Sequence, residues 1–92
     1  MNNRIVIIPT YNEIENIDSI IHAVLHLEPA FDLLIVDDGS PDGTALHVKN
    51  KMLEYPGRLH IEERTGKLGL GTAYIHGFKW ALDKDYEFIF EM

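Results

Sequence analysis

Cysteine is absent from the 92 residues, which excludes disulfides and thiolate metal sites. No apolar run approaches the roughly 20 residues of a membrane span, so no transmembrane segment is expected. The start, Met1-Asn2-Asn3-Arg4, leads straight into a short apolar stretch and does not read as a signal peptide. A cytoplasmic location fits these absences. Positive charge is scarce: 8 Lys and Arg against 15 Asp and Glu give a net charge of −7. A general nucleic-acid binder needs a basic face, so that class is set aside. A nucleotide ligand stays open, because a local site can oppose the global charge. Repeats, linkers and low-complexity segments are also missing. What remains is a chain of 46% hydrophobic and 25% charged residues, sufficient for one small soluble domain with one core.

The stretch from Leu33 to Thr44, LLIVDDGSPDGT, organises that domain. Leu33–Val36 is an apolar run suited to a strand buried on both faces. Asp37 and Asp38 end it, and turn residues follow. In an open parallel sheet, ligands bind beyond the carboxyl ends of the strands, so a site is expected here. Asp42 also reads as a simple turn cap.

Arg4–Ile8 predicts a first strand rich in β-branched residues, stopped by Pro9. Ile17, Ile20, Ile21, Val24 and Leu25 predict a helix from about Ile14 to Leu27, with Pro29 beyond it. Ala45, Val48, Met52 and Leu53 predict a second helix, capped by Asp42 or Thr44 and ended by Tyr55-Pro56-Gly57. Leu59–Glu63 reads as a third strand. The glycine-rich loop Arg64–Gly71 leads into a stripe of Leu70, Ala73, Tyr74, Gly77, Phe78, Ala81 and Leu82, the clearest helical pattern present. Tyr86–Phe90 begins a fourth strand. A βαβαβαβ order predicts an α/β fold with a mostly parallel sheet and right-handed crossovers.

Two nucleotide-binding signatures are excluded. Pro9-Thr10-Tyr11-Asn12-Glu13 stands where a dinucleotide fold would carry G-x-G-x-x-G, and no G-x-x-x-x-G-K-[ST] loop occurs. Receiver domains place their acid pair after the first strand, where this chain has none. His22 and His26 lie four apart on the first helix, but no H-E-x-x-H acid accompanies them, and they read as boundary residues. His47, His60 and His76 have no partner in sequence. Phe78 and Trp80 read as core.

VIIPTYNE at Val6–Glu13, LIVDDGSPDGT at Leu34–Thr44 and RTGKLGLGTAYIHGF at Arg64–Phe78 together resemble the inverting family-2 glycosyltransferases. The subgroup most resembled is the polyprenol-phosphate (dolichyl-phosphate) mannosyltransferases, a subgroup that also holds glucosyl-transferring members. The resemblance covers nearly the whole chain. It implies the Rossmann-like half of a GT-A fold, with strand order 3-2-1-4. It implies that Pro9, Tyr11 and Glu13, with Val36 and Asp38, hold the base and ribose of a sugar nucleotide, GDP-mannose or a related one. The chemistry suits this: Tyr11 offers a ring face and a hydroxyl, while Glu13 and Asp38 accept from N–H and hydroxyl groups. Packing of Tyr11 over the sheet end, and capping of a helix by Glu13, are the plainer alternatives. Asp37 is expected to fix the turn. Arg64 and Lys67 are the basic residues near the expected diphosphate or acceptor phosphate, a glycine-rich loop before a helix being able to bind an anion. A solvated Lys67 is the alternative.

In the resembled family, a metal-binding Asp-x-Asp motif follows the fourth strand and holds Mg²⁺ or Mn²⁺ against the diphosphate. The sequence reaches Phe88-Ile89-Phe90-Glu91-Met92 without it. Residues 1–92 are therefore expected to be the amino-terminal, nucleotide-sugar-binding part of a catalytic domain, truncated before that motif and inactive alone. No residue is assigned a catalytic role. The expected reaction is transfer to a polyprenyl or dolichyl phosphate, with the enzyme peripheral at the cytoplasmic face of a membrane. The alternatives are a family-2 transferase with a saccharide or other non-lipid acceptor, and a non-catalytic nucleotide-binding or self-associating module. The apolar fourth strand is expected to be an exposed edge through which the isolated chain self-associates.

Overall fold

The computed structural model describes residues 3–66 and 69–92. Its elements run β1 (Arg4–Thr10), α1 (Ile17–Leu25), β2 (Asp32–Asp37), α2 (Thr44–Lys51), β3 (Leu59–Glu63), α3 (Leu70–Asp83) and β4 (Phe88–Glu91). The four strands are parallel and lie in the order β3-β2-β1-β4. This is the expected α/β architecture and strand order.

The apolar runs of β1 and β2 make sense because both strands are central and both faces are covered. Val6, Ile8, Leu33, Ile35 and Leu59 pack with Ile17, Ile21 and Val24 of α1 and Val48 of α2. On the opposite face Ile5, Ile7, Leu34 and Val36 pack with Ala73 and Ala81 of α3 and with Tyr86. Every residue of β2 is buried.

Pro9 does not stop β1; the strand runs on to Thr10, and Pro9 pairs with Val36. Ile7 accepts a bond from Met92 N–H, so odd-numbered residues of β1 direct their backbone groups toward β4. Pro9 thus meets β4 past the last paired residues, Ile7 with Glu91, where its missing N–H removes no ladder bond from β2. The Met92 carbonyl that such an N–H would reach is bonded instead by Tyr74 Oη at 2.7 Å.

α1 is shorter than the apolar spacing suggests. Ile14 N–H donates to Asp42 Oδ2, and Glu13 O takes both Asn16 N–H and Ile17 N–H, so residues 14–16 form a turn. Leu53, Leu70 and Leu82 are exposed, and Phe78 is 41% exposed rather than core. In α3 the sheet-facing positions are the small residues Ala73, Gly77 and Ala81. A Cβ on Gly77 would stand 2.6 Å from Ile7 Cγ2, so small side chains let α3 lie close on β1. The larger neighbours Tyr74 and Phe78 are turned toward its flank. β4 begins at Phe88, two residues later than expected.

The histidines acquire partners only through folding. His47 meets Asp18 at 2.6 Å and His76 meets Glu62 at 3.0 Å, while His22 and His26 stack with centroids 4.0 Å apart.

Candidate functional site

The carboxyl ends of β1 and β2 open into a cleft of about 200 Å³ lined by Pro9, Thr10, Tyr11, Glu13, Asp38, Gly69 and Leu70. Its walls come from three loops. The β1 loop carries Pro9 to Glu13, the end of β2 carries Asp38, and the start of α3 carries Gly69 and Leu70.

The first two loops are bolted together by side chains that bond to the opposite backbone. Asp37 takes Thr10 Oγ1 at 2.6 Å, Ser40 Oγ at 2.7 Å and Ser40 N–H at 2.9 Å, which makes it the turn anchor expected of it. Ser40 Oγ in turn accepts Asn12 N–H at 2.9 Å, and Asn12 has φ 55°, a left-handed conformation that asparagine tolerates. Thr44 Oγ1 accepts Glu13 N–H at 3.1 Å. Asp42 accepts Ile14 N–H at 3.1 Å and Thr44 N–H at 3.0 Å. Burial works to raise the Asp42 carboxyl, but hydrogen bonds from Thr44 and Ile14 outweigh it and hold the group below its ordinary value. Asp42 is therefore a structural residue. The residue preceding α2 is Gly43, in the left-handed region with φ 90°, and neither Asp42 nor Thr44 occupies the cap position.

Asp38 is buried, and its partner is Arg64, with Nε to Oδ1 at 2.7 Å and Nη2 to Oδ2 at 2.9 Å. The Arg64 guanidinium is turned to this carboxylate. Tyr11 is 37% exposed at the cleft. Glu13 takes a long bond of 3.4 Å from Asn16 Nδ2.

Of the residues singled out from sequence, the fold brings Pro9, Tyr11, Glu13 and Asp38 to one cleft. Val36 is not among its lining residues. The Val36 side chain is fully buried in the core beneath α3. Lys67 lies outside the described residues. Thr10, Gly69 and Leu70 were not singled out. The glycine-rich loop that leads into α3 is the sequence signal for the last two.

A larger hollow, of about 850 Å³, sits at the amino ends of the strands between Asp32, Arg58, His60, Trp80 and Tyr86. It lies at the opposite end of the sheet from the turn motifs. Size alone does not identify the site here, because an open α/β sheet binds at the carboxyl ends of its strands.

No group of three His, Asp or Glu side chains among the described residues could hold a metal ion. Glu13 and Asp38, the latter held by Arg64, do not fit one by themselves. No helix among the described residues is long and apolar enough to cross a membrane.

The sequence matches the profile of Glycosyl transferase family 2 over residues 5–90. It is 49% identical over 88 residues to the polyprenol monophosphomannose synthase of Mycolicibacterium smegmatis, covering 96% of this chain and 33% of that protein. It is 45% identical over 86 residues to the undecaprenyl-phosphate mannosyltransferase of Micrococcus luteus, covering 94% of this chain and 35% of that one. The chain thus spans about a third of the length of these relatives. Among solved structures it is similar to a mannosyltransferase from Pyrobaculum calidifontis in complex with GDP-Man and Mn²⁺. That match has a TM-score of 0.67 at 28% identity and covers 85% of this chain and 24% of that one.

Proposed function

The chain belongs to glycosyl transferase family 2, and from that premise we propose that it is the nucleotide-sugar-binding part of a transferase that moves mannose from GDP-mannose to a polyprenyl phosphate. The observation that carries this reading is the convergence of Pro9, Tyr11, Glu13 and Asp38 on one cleft at the carboxyl ends of β1 and β2. The mannosyltransferase names of the two relatives, and the GDP-Man bound by the solved neighbour, support the choice of donor and acceptor.

In this reading the Tyr11 ring lies against the base. Glu13 and Asp38 accept from base N–H groups or ribose hydroxyls. Val36 acts from behind, as packing under the β2 end. The diphosphate faces the loop that leads into α3, where backbone N–H groups favour an anion, and Lys67 belongs to the same loop. Transfer is a single in-line displacement at the anomeric carbon. A phosphate acceptor is already ionised near neutral pH, so catalysis rests on positioning and charge stabilisation rather than on a strong base.

The solved neighbour's Mn²⁺ supports use of a divalent ion in the family. For this protein we place the ligands of a Mg²⁺ or Mn²⁺ ion in the remainder of the catalytic domain, because the cleft residues described here do not fit one. The same proposal sets the protein at the cytoplasmic face of a membrane, where the acceptor headgroup is reached. The 92 residues by themselves are inactive and self-associate.

Transfer from GDP-mannose to a polyprenyl phosphate by the full-length protein tests the proposal. Formation of the lipid-linked mannose is expected. Transfer to a glycan with none to lipid would assign a saccharide acceptor, and failure to bind GDP would sink the donor-site reading itself.

A further inference from the structure

We propose that Arg64 is the positioning residue of this donor site, fixing the Asp38 carboxylate and the first turn of α3 against one another; the inference rests on the donor-binding reading above. The two side chains form a bidentate pair, and each is only 8% exposed. The guanidinium also reaches Thr72 Oγ1 through Nη1 at 3.1 Å and the Gly69 carbonyl through Nη2 at 3.3 Å. Thr72 Oγ1 donates to that same carbonyl at 2.9 Å. The Arg64 backbone N–H meanwhile donates to Asp37 O at 2.8 Å. One residue therefore spans from the end of β2 to the start of α3, and both carry lining residues of the cleft, Asp38 from the first and Gly69 and Leu70 from the second.

The chemistry requires arginine. An ionised carboxylate has about four acceptor positions. The planar fork occupies two of them and sets the plane of the carboxylate, leaving the others for donors on a ligand. An ammonium is a point charge and cannot hold that plane. The surrounding backbone is equally close-fitting, since a Cβ on Gly39 would lie 2.9 Å from Gly66 N. Arg64 thus acts through Asp38 and the α3 start, and is not a ligand of the diphosphate.

The test uses the full-length enzyme with Arg64→Lys and Thr72→Val. GDP affinity is measured by calorimetry, KM for GDP-mannose and kcat by transfer assay, and folding by thermal melt. Arg64→Lys keeps a cooperative melt, weakens GDP binding and raises KM by about tenfold, and leaves kcat within about twofold, as expected for loss of one charge-assisted bond made equally in ground and transition states. Thr72→Val moves affinity in the same direction by about two- to threefold, since it removes the hydroxyl that accepts from the guanidinium and donates to the Gly69 carbonyl. Unchanged GDP affinity with a lowered melting temperature would assign Arg64 to the fold alone and overturn the proposal. A fall in kcat at unchanged KM would also overturn it, by placing Arg64 at the reacting atoms. If Arg64→Lys does not fold, Thr72→Val decides, and GDP affinity equal to that of the unaltered protein counts against the proposal. If the unaltered protein binds no GDP, the donor-site reading fails instead.

Discussion

Asp38 and Glu13 share the cleft but differ in what else depends on them. Asp38 is one half of a buried ion pair with Arg64, and removing one partner of such a pair costs about 3–5 kcal/mol because the other charge is stranded. Asp38→Ala is therefore expected to lower both stability and donor affinity. Among the described residues the Glu13 carboxylate has only the long contact from Asn16, and the Glu13 backbone carbonyl rather than its carboxylate opens the turn before α1. Glu13→Ala is expected to cost about 1.5–3 kcal/mol of donor binding with little change in stability. Denaturant unfolding and GDP titration of the two variants check this; stability loss at unchanged affinity for Glu13→Ala would make it a turn residue. A third residue reports on pH. Burial, followed by the hydrogen bond to Asp32 and that group's charge, pushes the Tyr86 hydroxyl well above its ordinary value. Below about pH 10 the hydroxyl is protonated in both states and its stabilisation is complete. Above that, the unfolded chain releases a proton that the folded chain keeps, and stability falls by up to about 1.4 kcal/mol per pH unit. Tyr86→Phe removes this contribution, and costs about 1–3 kcal/mol at neutral pH by leaving Asp32 Oδ2 without its donor. Unfolding midpoints between pH 8 and pH 11 for both proteins read the difference.

At the scale of elements, α3 carries the lesson. Its apolar residues suggest a broad buried stripe, yet only Ala73, Gly77 and Ala81 are buried. Close approach of a helix to a sheet selects small side chains at the contact and moves large ones to the flanks. Gly77→Ala places a methyl against Ile7 and Val36, where overpacking costs about 1–3 kcal/mol and outweighs a helix-propensity gain of up to about 1 kcal/mol. The melting temperature should fall by several degrees. Gly71→Ala is the control: no atom of the described residues lies within 4 Å of the added carbon, so it should be neutral or slightly stabilising. A fall in both variants, or in neither, would contradict the close-packing account. β1 shows the same limit of local reading. A proline reads as a stop, but a strand tolerates one where its ring nitrogen faces away from the ladder that continues.

At the scale of the molecule, β4 lies at one edge of the sheet, with Phe88 51% and Phe90 46% exposed. Beside β1 and α1 lies an apolar hollow of about 390 Å³ between Ile8, Ile20, Ala23, Val24 and Met92. Exposed edges and apolar patches of this kind pair with other chains. A polypeptide of these 92 residues is therefore expected to self-associate, and sedimentation checks it. A monomer at high micromolar concentration, with a cooperative melt, would contradict the expectation.

The residues by themselves determined the alternation of strands and helices, the buried character of β1 and β2, the full extent of β3 and the loops where a site belongs. These follow from spacing and turn chemistry, which act over a few positions. The resemblance of three motifs added the strand order and most of the cleft residues. Only the tertiary structure decided that Val36 is buried beneath α3, that Pro9 stays within its strand, that Gly69 and Leu70 close the cleft, and that Arg64 belongs to Asp38. The last two residues are 26 positions apart, and no local pattern marks their pairing. It exists because parallel strands bring successive loop starts to the same end of the sheet, where a buried carboxylate must find a cation.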